Sequence, residues 1–227
     1  MAQVFESTGK VSVARPAASR ARNGFYERRG KRLLDLALSL PLLVAATPLV
    51  IVLAVLVVLT SGWPPFYAAG RLGRSARPFR MWKLRTMVRD AEQQLEGLRR
   101  SDAAFRAAFA RSFKLGGDPR VTRLGRWLRR SSLDELPQLL NVVRGEMSLV
   151  GPRPIVADEL ARYGQDAPVF TGVAPGMTGA WQVGGRNAIA YPERKAVEIG
   201  YCAAPSLATD LSILLKTVVT LSRFDGL

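Results

Sequence analysis

A chain of 227 residues has length for one ordinary domain plus appendages and can bury a real core. Its 33 Lys and Arg against 18 Asp and Glu leave a net charge of +15, which favours anionic partners: nucleic acid, anionic lipid or phosphorylated small molecules. The chain has no His, so a Ser-His-Asp enzyme is excluded, and the lone Cys202 reads as a buried thiol that can form neither an intramolecular disulfide nor a zinc cluster.

Residues 1–30 mix Ser, Ala, Arg and Gly with little apolar periodicity and read as a flexible basic arm. Residues 31–60 follow as a membrane segment. The run from Leu33 to Leu59 carries one charge, Asp35, and as a straight helix it would exceed the ~30 Å hydrocarbon core. Its flanks are both basic, with Arg28, Arg29, Lys31 and Arg32 before it and Arg71, Arg74, Arg77 and Arg80 after it. Both ends therefore prefer the cytoplasm, which favours a re-entrant helix broken near Thr47-Pro48 over a single straight crossing, the alternative that the residues alone leave open. The Thr47 hydroxyl would satisfy a carbonyl freed by the break.

Residues 61–227 are expected to form one compact cytoplasmic domain, so the predicted fold class is α-rich α+β. Turn signals around Gly70 to Ser75, between apolar runs at Phe66-Tyr67 and Phe79 to Leu84, predict a small β-hairpin. Met87 to Phe113 has helical spacing and reads as one or two surface helices. The basic amphipathic segment VTRLGRWLRR places Leu124, Trp127 and Leu128 on one face, suited to protein packing or to a headgroup layer. Asp210 to Leu221 predicts another amphipathic helix, with Thr209 or Asp210 as its N-cap.

The segment Ser131 to Pro154, SSLDELPQLLNVVRGEMSLVGPRP, carries the strongest chemistry. Asp134 and Glu135 stand at the start of an apolar helical run and are followed by a Gly, Pro and Arg loop. Ser132 and Glu135 also have the spacing of a capping box, so local sequence alone would make Glu135 a helix cap. Pro137 leaves the start of that helix open.

These residues resemble the monotopic phosphoglycosyl transferases of the bacterial sugar transferase family, and in particular the short ExoY-type members that initiate exopolysaccharides. The resemblance runs from Lys31 to about Thr217 through KRLLD, Thr47-Pro48 in place of Ser-Pro, KLRTM, DPRVTRLG, SLDELPQLLN, GEMSLVGPRP and PGMTGAWQVGGRN. It implies that Asp134 attacks the sugar-bearing phosphate of a UDP-sugar, releases UMP, and passes the phosphosugar to undecaprenyl phosphate at the bacterial inner membrane. By family proximity galactose is the favoured sugar, with glucose close behind. A carboxylate nucleophile is ionised at neutral pH and needs no His, and Mg²⁺ held by Glu135 and Asp134 would offset charge repulsion.

The resemblance also implies that the loop of Pro152, Arg153 and Pro154 serves the nucleotide, that Lys83, Arg85, Arg129 and Arg186 are substrate contacts, and that Lys31 and Arg32 lie at the lipid boundary near the polyprenyl phosphate. Lys83, Arg85 and Arg129 read equally well as surface or headgroup charges. Asp35 would pair with a basic residue. Two positions depart from the family pattern, Gly70 where Gln is frequent and Glu198, three residues before Tyr201, where Asp is usual. A membrane-anchored basic protein with no enzymatic role would account for the net charge but not for Asp134, Glu135 or the loops. The expected partners are the UDP-sugar, undecaprenyl phosphate and the bilayer, without nucleic acid.

Overall fold

The computed structural model describes residues 25–101, 118–185 and 191–222. The described residues are helix-rich, with two small sheets. A turn of π-helix (Tyr26–Gly30) runs directly into helix α1 (Lys31–Ser61), and together they are long and apolar enough to cross a membrane by length and composition. Of the expected N-terminal arm, residues 1–24 lie outside the described residues.

Helix α1 continues through both Pro41 and Pro48. The interruption expected at Thr47-Pro48 is thus a proline carried inside one helix. The Thr47 hydroxyl donates to the Leu43 carbonyl at 2.7 Å, its own i−4 neighbour, whereas Pro48 deprives the Val44 carbonyl of its donor. One stripe of α1 faces the protein: Asp35, Leu38, Ser39, Ala46, Val50, Leu53, Ala54 and Val57 recur at helical spacing. The rest of its surface is apolar and open, from Leu40 and Val44 to Val55 and Leu59.

Strands β1 (Phe66–Leu72) and β2 (Pro78–Leu84) form the expected hairpin, in register from Phe66 opposite Leu84 to Leu72 opposite Pro78. Its turn sits later than the sequence suggests. Gly70 stays extended opposite Arg80, and the reversal is closed by the Gly73 amide donating to the Arg77 carbonyl at 2.7 Å. Helix α2 (Ala91–Ser101) realises the first of the surface helices, and residues 102–117, where a second was expected, lie outside the described residues.

Helices α3 (Arg123–Ser131) and α4 (Gln138–Arg144) flank a 3₁₀ turn, Leu133–Glu135. After them come β3 (Ser148–Val150), α5 (Ala157–Leu160), a 3₁₀ stretch (Ala161–Asp166), α6 (Ala167–Thr171), β4 (Gly176–Thr178) and α7 (Ala180–Gly184). Helices α8 (Tyr191–Ala203) and α9 (Leu207–Ser222) complete the described chain. β3 and β4 pair in parallel, Ser148 with Gly176 and Val150 with Thr178. At three residues each, they are too short to announce themselves by alternation.

The main core joins hairpin, α4, β3, α8 and α9 through Phe79, Met81, Leu139, Val142, Met147, Leu149, Tyr201, Cys202 and Ile213. Cys202 is buried there, as expected. A second cluster packs the end of α1 (Leu53, Ala54, Val57) on Leu84 of β2 and Leu128 of α3. Both ends of α1 therefore rest on the same folded unit.

Three of the charges near α1 do structural work that the sequence reading did not assign. Asp35, expected to pair with a cation, instead accepts from the Ser148 hydroxyl and the Leu149 amide, each at 2.9 Å. Arg32 donates to the carbonyls of Val142 (2.5 Å) and Val143 (2.6 Å), meeting the unsatisfied end of α4. Asp210 is not an N-cap, because Ser206 accepts from the Thr209 amide in that role. Asp210 is fully buried and gathers Lys31 Nζ (2.6 Å) and the hydroxyls of Tyr26 (2.5 Å) and Tyr201 (2.8 Å).

Candidate active site

Asp134 and Glu135 lie in the 3₁₀ turn, ahead of α4, whose N-cap position is taken by Pro137. The capping box is not formed. Ser132 adopts a left-handed conformation (φ 58°) with no side-chain cap bond, and Glu135 Oε1 accepts from Lys83 Nζ at 2.6 Å instead. Lys83, near the end of β2, also stands 3.7 Å from Asp134 Oδ2. One ammonium thus sits between two carboxylates contributed by adjacent residues.

Arg129 is delivered from the other side by α3. Thr122 caps that helix by accepting from the Gly125 amide at 2.9 Å, and the Thr122 amide donates to the Thr86 carbonyl at 3.0 Å. Gly125 lies against that carbonyl so closely that a Cβ would overlap it. Two turns of helix then carry Arg129 to the Thr86 hydroxyl, which accepts from its Nε at 2.9 Å. Burial lowers the pKa of the guanidinium, and Asp134 and Asp118 oppose that effect.

Asp134 is only 5 % exposed, and burial is the largest influence on its carboxyl. Lys83 and Arg129 pull its pKa down and Glu135 pushes it up, leaving it at about 6. At pH 7 the carboxylate form still predominates about tenfold, and it is more basic than an ordinary Asp.

Arg85 is buried rather than on the surface, and it donates to the Ser61 carbonyl (2.8 Å) and to the Gly62 carbonyl at the end of α1. Terminal helix carbonyls lack intrahelical donors, and a buried guanidinium meets that need. Lys31 and Arg32 also have internal partners, Asp210 for Lys31 and the Val142 and Val143 carbonyls for Arg32. Arg186 lies outside the described residues.

The Pro152-Arg153-Pro154 loop is held from two directions. The Gly151 amide donates to Thr178 (2.9 Å) and the Gly176 amide to Pro152 (2.8 Å), which fixes it to β4. The Arg153 amide donates to Glu198 Oε1 at 3.1 Å. Glu198 is buried and also accepts from the Tyr163 hydroxyl (2.5 Å) and Arg194 Nε (3.2 Å). The Arg153 and Arg194 guanidinium carbons stand 5.5 and 4.5 Å from the centroid of the buried Trp181 ring. Glu198 in place of the expected Asp therefore keeps a loop-holding contact. Sequence reasoning missed Arg194 and Tyr163, although the i, i+4 spacing of Arg194 and Glu198 on a helical pattern was the available signal.

The donor set suits a hard divalent cation such as Mg²⁺. Two carboxylates already converge on one positive charge at Lys83 Nζ, and Mg²⁺ commonly takes one or two protein carboxylates with substrate phosphates and water. No group of three or more acidic, His or Cys residues could hold a metal among the described residues.

Residues 26–223 match the family described as bacterial sugar transferase. The chain is 41 % identical over 226 residues to the UDP-galactose-lipid carrier transferase of Erwinia amylovora, covering 100 % of this chain and 46 % of that protein. It is 44 % identical over 196 residues to the undecaprenyl-phosphate galactose phosphotransferase of Salmonella typhimurium, covering 86 % of this chain and 41 % of the relative. It thus spans less than half the length of either. Against the exopolysaccharide production protein ExoY of Sinorhizobium fredii it is 42 % identical over 195 residues, 85 % of this chain and 86 % of that one. With a match along nearly its whole length and relatives of this identity, and with the buried Asp134 carboxylate facing Lys83 and Arg129, the chain belongs to the bacterial sugar transferase family.

Proposed function

We infer that the protein transfers a hexose 1-phosphate, galactose favoured, from a UDP-sugar to undecaprenyl phosphate, releasing UMP and beginning assembly of an exopolysaccharide repeat. The observation that carries this is the buried Asp134 carboxylate, flanked by Glu135 and faced by Lys83 and Arg129. An isolated carboxylate gains nothing from burial, but one kept basic and surrounded by cations is suited to attack an anionic phosphate.

In the first half, an Asp134 oxygen forms a bond to the sugar-bearing phosphorus, and the bond from that phosphorus to the bridging oxygen breaks. UMP leaves with the bridging oxygen and its electron pair. Lys83 and Arg129 hold positive charge against the phosphoryl oxygens, and no proton need move. In the second half, a phosphate oxygen of the lipid forms a bond to the same phosphorus, and Asp134 leaves as a carboxylate. Glu135, with the second oxygen of Asp134, would hold Mg²⁺, which supplies further neutralisation of the donor diphosphate. Arg153, held by Glu198 and packed against Trp181, orients the nucleotide side.

The acceptor is lipid-borne, and the placement of α1 suits that. Both its ends pack on one folded unit while its outer surface is open and apolar, which supports a helix that enters and leaves the inner membrane on the cytoplasmic face. The test is UMP release from UDP-galactose by the purified protein with undecaprenyl phosphate and Mg²⁺, alongside Asp134→Asn. Activity in the native protein and none in the variant is expected, and equal activity in both would end the assignment.

A further inference from the structure

We propose that Arg71, on the hairpin, joins Arg153 in a two-guanidinium clamp for the nucleotide-side phosphate of the donor, the phosphate that departs on UMP. The proposal rests on the donor being a nucleoside diphosphate sugar. β1 ends beside the loop that carries Arg153. The Leu72 amide donates to the Ile155 carbonyl at 2.9 Å, and Leu72 packs on the apolar cluster around Ile155. Arg71, one residue earlier, is half-buried at this seam. Burial, and after it the charge of Arg153, hold its guanidinium below the ordinary value, while Tyr67 and Glu159 act in the opposite sense.

Among the described residues neither guanidinium has a counter-ion of its own. Arg71 Nη1 donates to the Gly70 carbonyl at 2.7 Å, and no carboxylate stands at ion-pair distance from Arg71 among the described residues. The same holds for the Arg153 side chain, which stands over the Trp181 face; its amide donates to Glu198. The nearby acids are engaged elsewhere. Arg194 takes Glu159 at 3.3 Å and Glu198 at 3.2 Å, and Tyr163 takes the second share of Glu198.

Two half-buried like charges without an anion are unfavourable, and a ligand that brings two or more anionic oxygens between them removes the penalty. Planar guanidinium forks match phosphate oxygens better than a point charge does. The sugar-side phosphate must lie against Asp134, where Lys83 and Arg129 already serve it. The adjoining phosphate is the anion left for Arg71 and Arg153.

The experiment measures equilibrium binding of UMP and of UDP-galactose by calorimetry, on the full-length protein in detergent, all in an Asp134→Asn background that prevents turnover. Arg71→Gln is expected to weaken both by about 10- to 100-fold, the worth of one charge-assisted pair. Arg71→Lys should recover only part of that loss. Without ligand, Arg71→Gln should melt no lower than its parent, because it removes an unpaired cation, yet it should lose most of the rise in melting temperature that UMP gives the parent. The KM for undecaprenyl phosphate, measured with Asp134 restored, should stay within twofold. UMP affinity within twofold of the parent in both variants overturns the clamp. So does a raised KM for undecaprenyl phosphate with UMP affinity unchanged, which assigns Arg71 to the lipid phosphate. A melting temperature that falls with UMP affinity in Arg71→Gln, with full recovery of both in Arg71→Lys, also overturns it, since a structural cation alone is then needed. Failure of the proposed reaction is separable: the native protein would release no UMP from any UDP-sugar, whatever the binding comparison gives.

Discussion

Asp134→Asn should stabilise the fold while abolishing the reaction. Burial, the largest influence, raises the Asp134 carboxyl from 3.8 to about 6, a rise of roughly 2 pH units. At about 1.4 kcal/mol per unit, the folded protein above pH 6 carries an ionised group that disfavours folding by up to about 3 kcal/mol. The sign follows from which state holds the proton. As pH rises, the unfolded chain releases it near pH 4 and the folded chain only near pH 6, so stability contributed by this group falls across that window and stays low above it. Asn has no charge to bury. In metal-free buffer the melting temperatures of variant and native protein should therefore be nearly equal at about pH 4 and diverge towards pH 6. Above that the variant should melt higher by up to roughly 6–12 °C, taking ~2–4 °C per kcal/mol for a domain of this size. Differential scanning fluorimetry at several pH values reads this directly. A native protein that melts higher than the variant at pH 7.5 would refute the reasoning, because the carboxylate would then be held by the fold rather than strained by it.

Removing the ammonium between the carboxylates, as in Lys83→Met, should lower UMP release by at least about 100-fold. It should also move the Asp134 carboxyl further up, which a carbon-13 titration of the labelled side chain would follow. Lys31→Met leaves the fully buried Asp210 with hydroxyl partners only, and a loss of about 3–5 kcal/mol is expected in chemical denaturation, against far less for the double variant with Asp210→Asn. Glu198→Gln should raise the KM for the donor several-fold with a smaller change in kcat, because it loosens the Arg153 amide rather than the dyad, and steady-state kinetics separate the two.

Much of this was legible in the residues because the features were local. The apolar run of α1, the hairpin around Gly73 and the α3 segment with its Thr122 cap all announce themselves by composition and spacing. Which cation meets which partner was not legible, since that depends on elements far apart in sequence. Lys31 meets Asp210, Arg32 meets the end of α4 and Arg85 meets the end of α1, while Lys83, nominated with the same weight as Arg85, is the one at the dyad. Capping-box spacing at Ser132 and Glu135 misled in the same way, because a tertiary cation 52 residues away in sequence competes successfully for Glu135. The parallel pairing of β3 with β4 is likewise set by tertiary packing, not by periodicity.

The account turns on which bond of the donor breaks. Incubating the protein with UDP-galactose, undecaprenyl phosphate and Mg²⁺ and separating the nucleotide products distinguishes the possibilities. Attack by Asp134 on phosphorus predicts UMP, in amounts equal to lipid-linked diphosphate sugar. Release of UDP would place the break at the sugar carbon and contradict the account, as would UMP release that persists in Asp134→Asn.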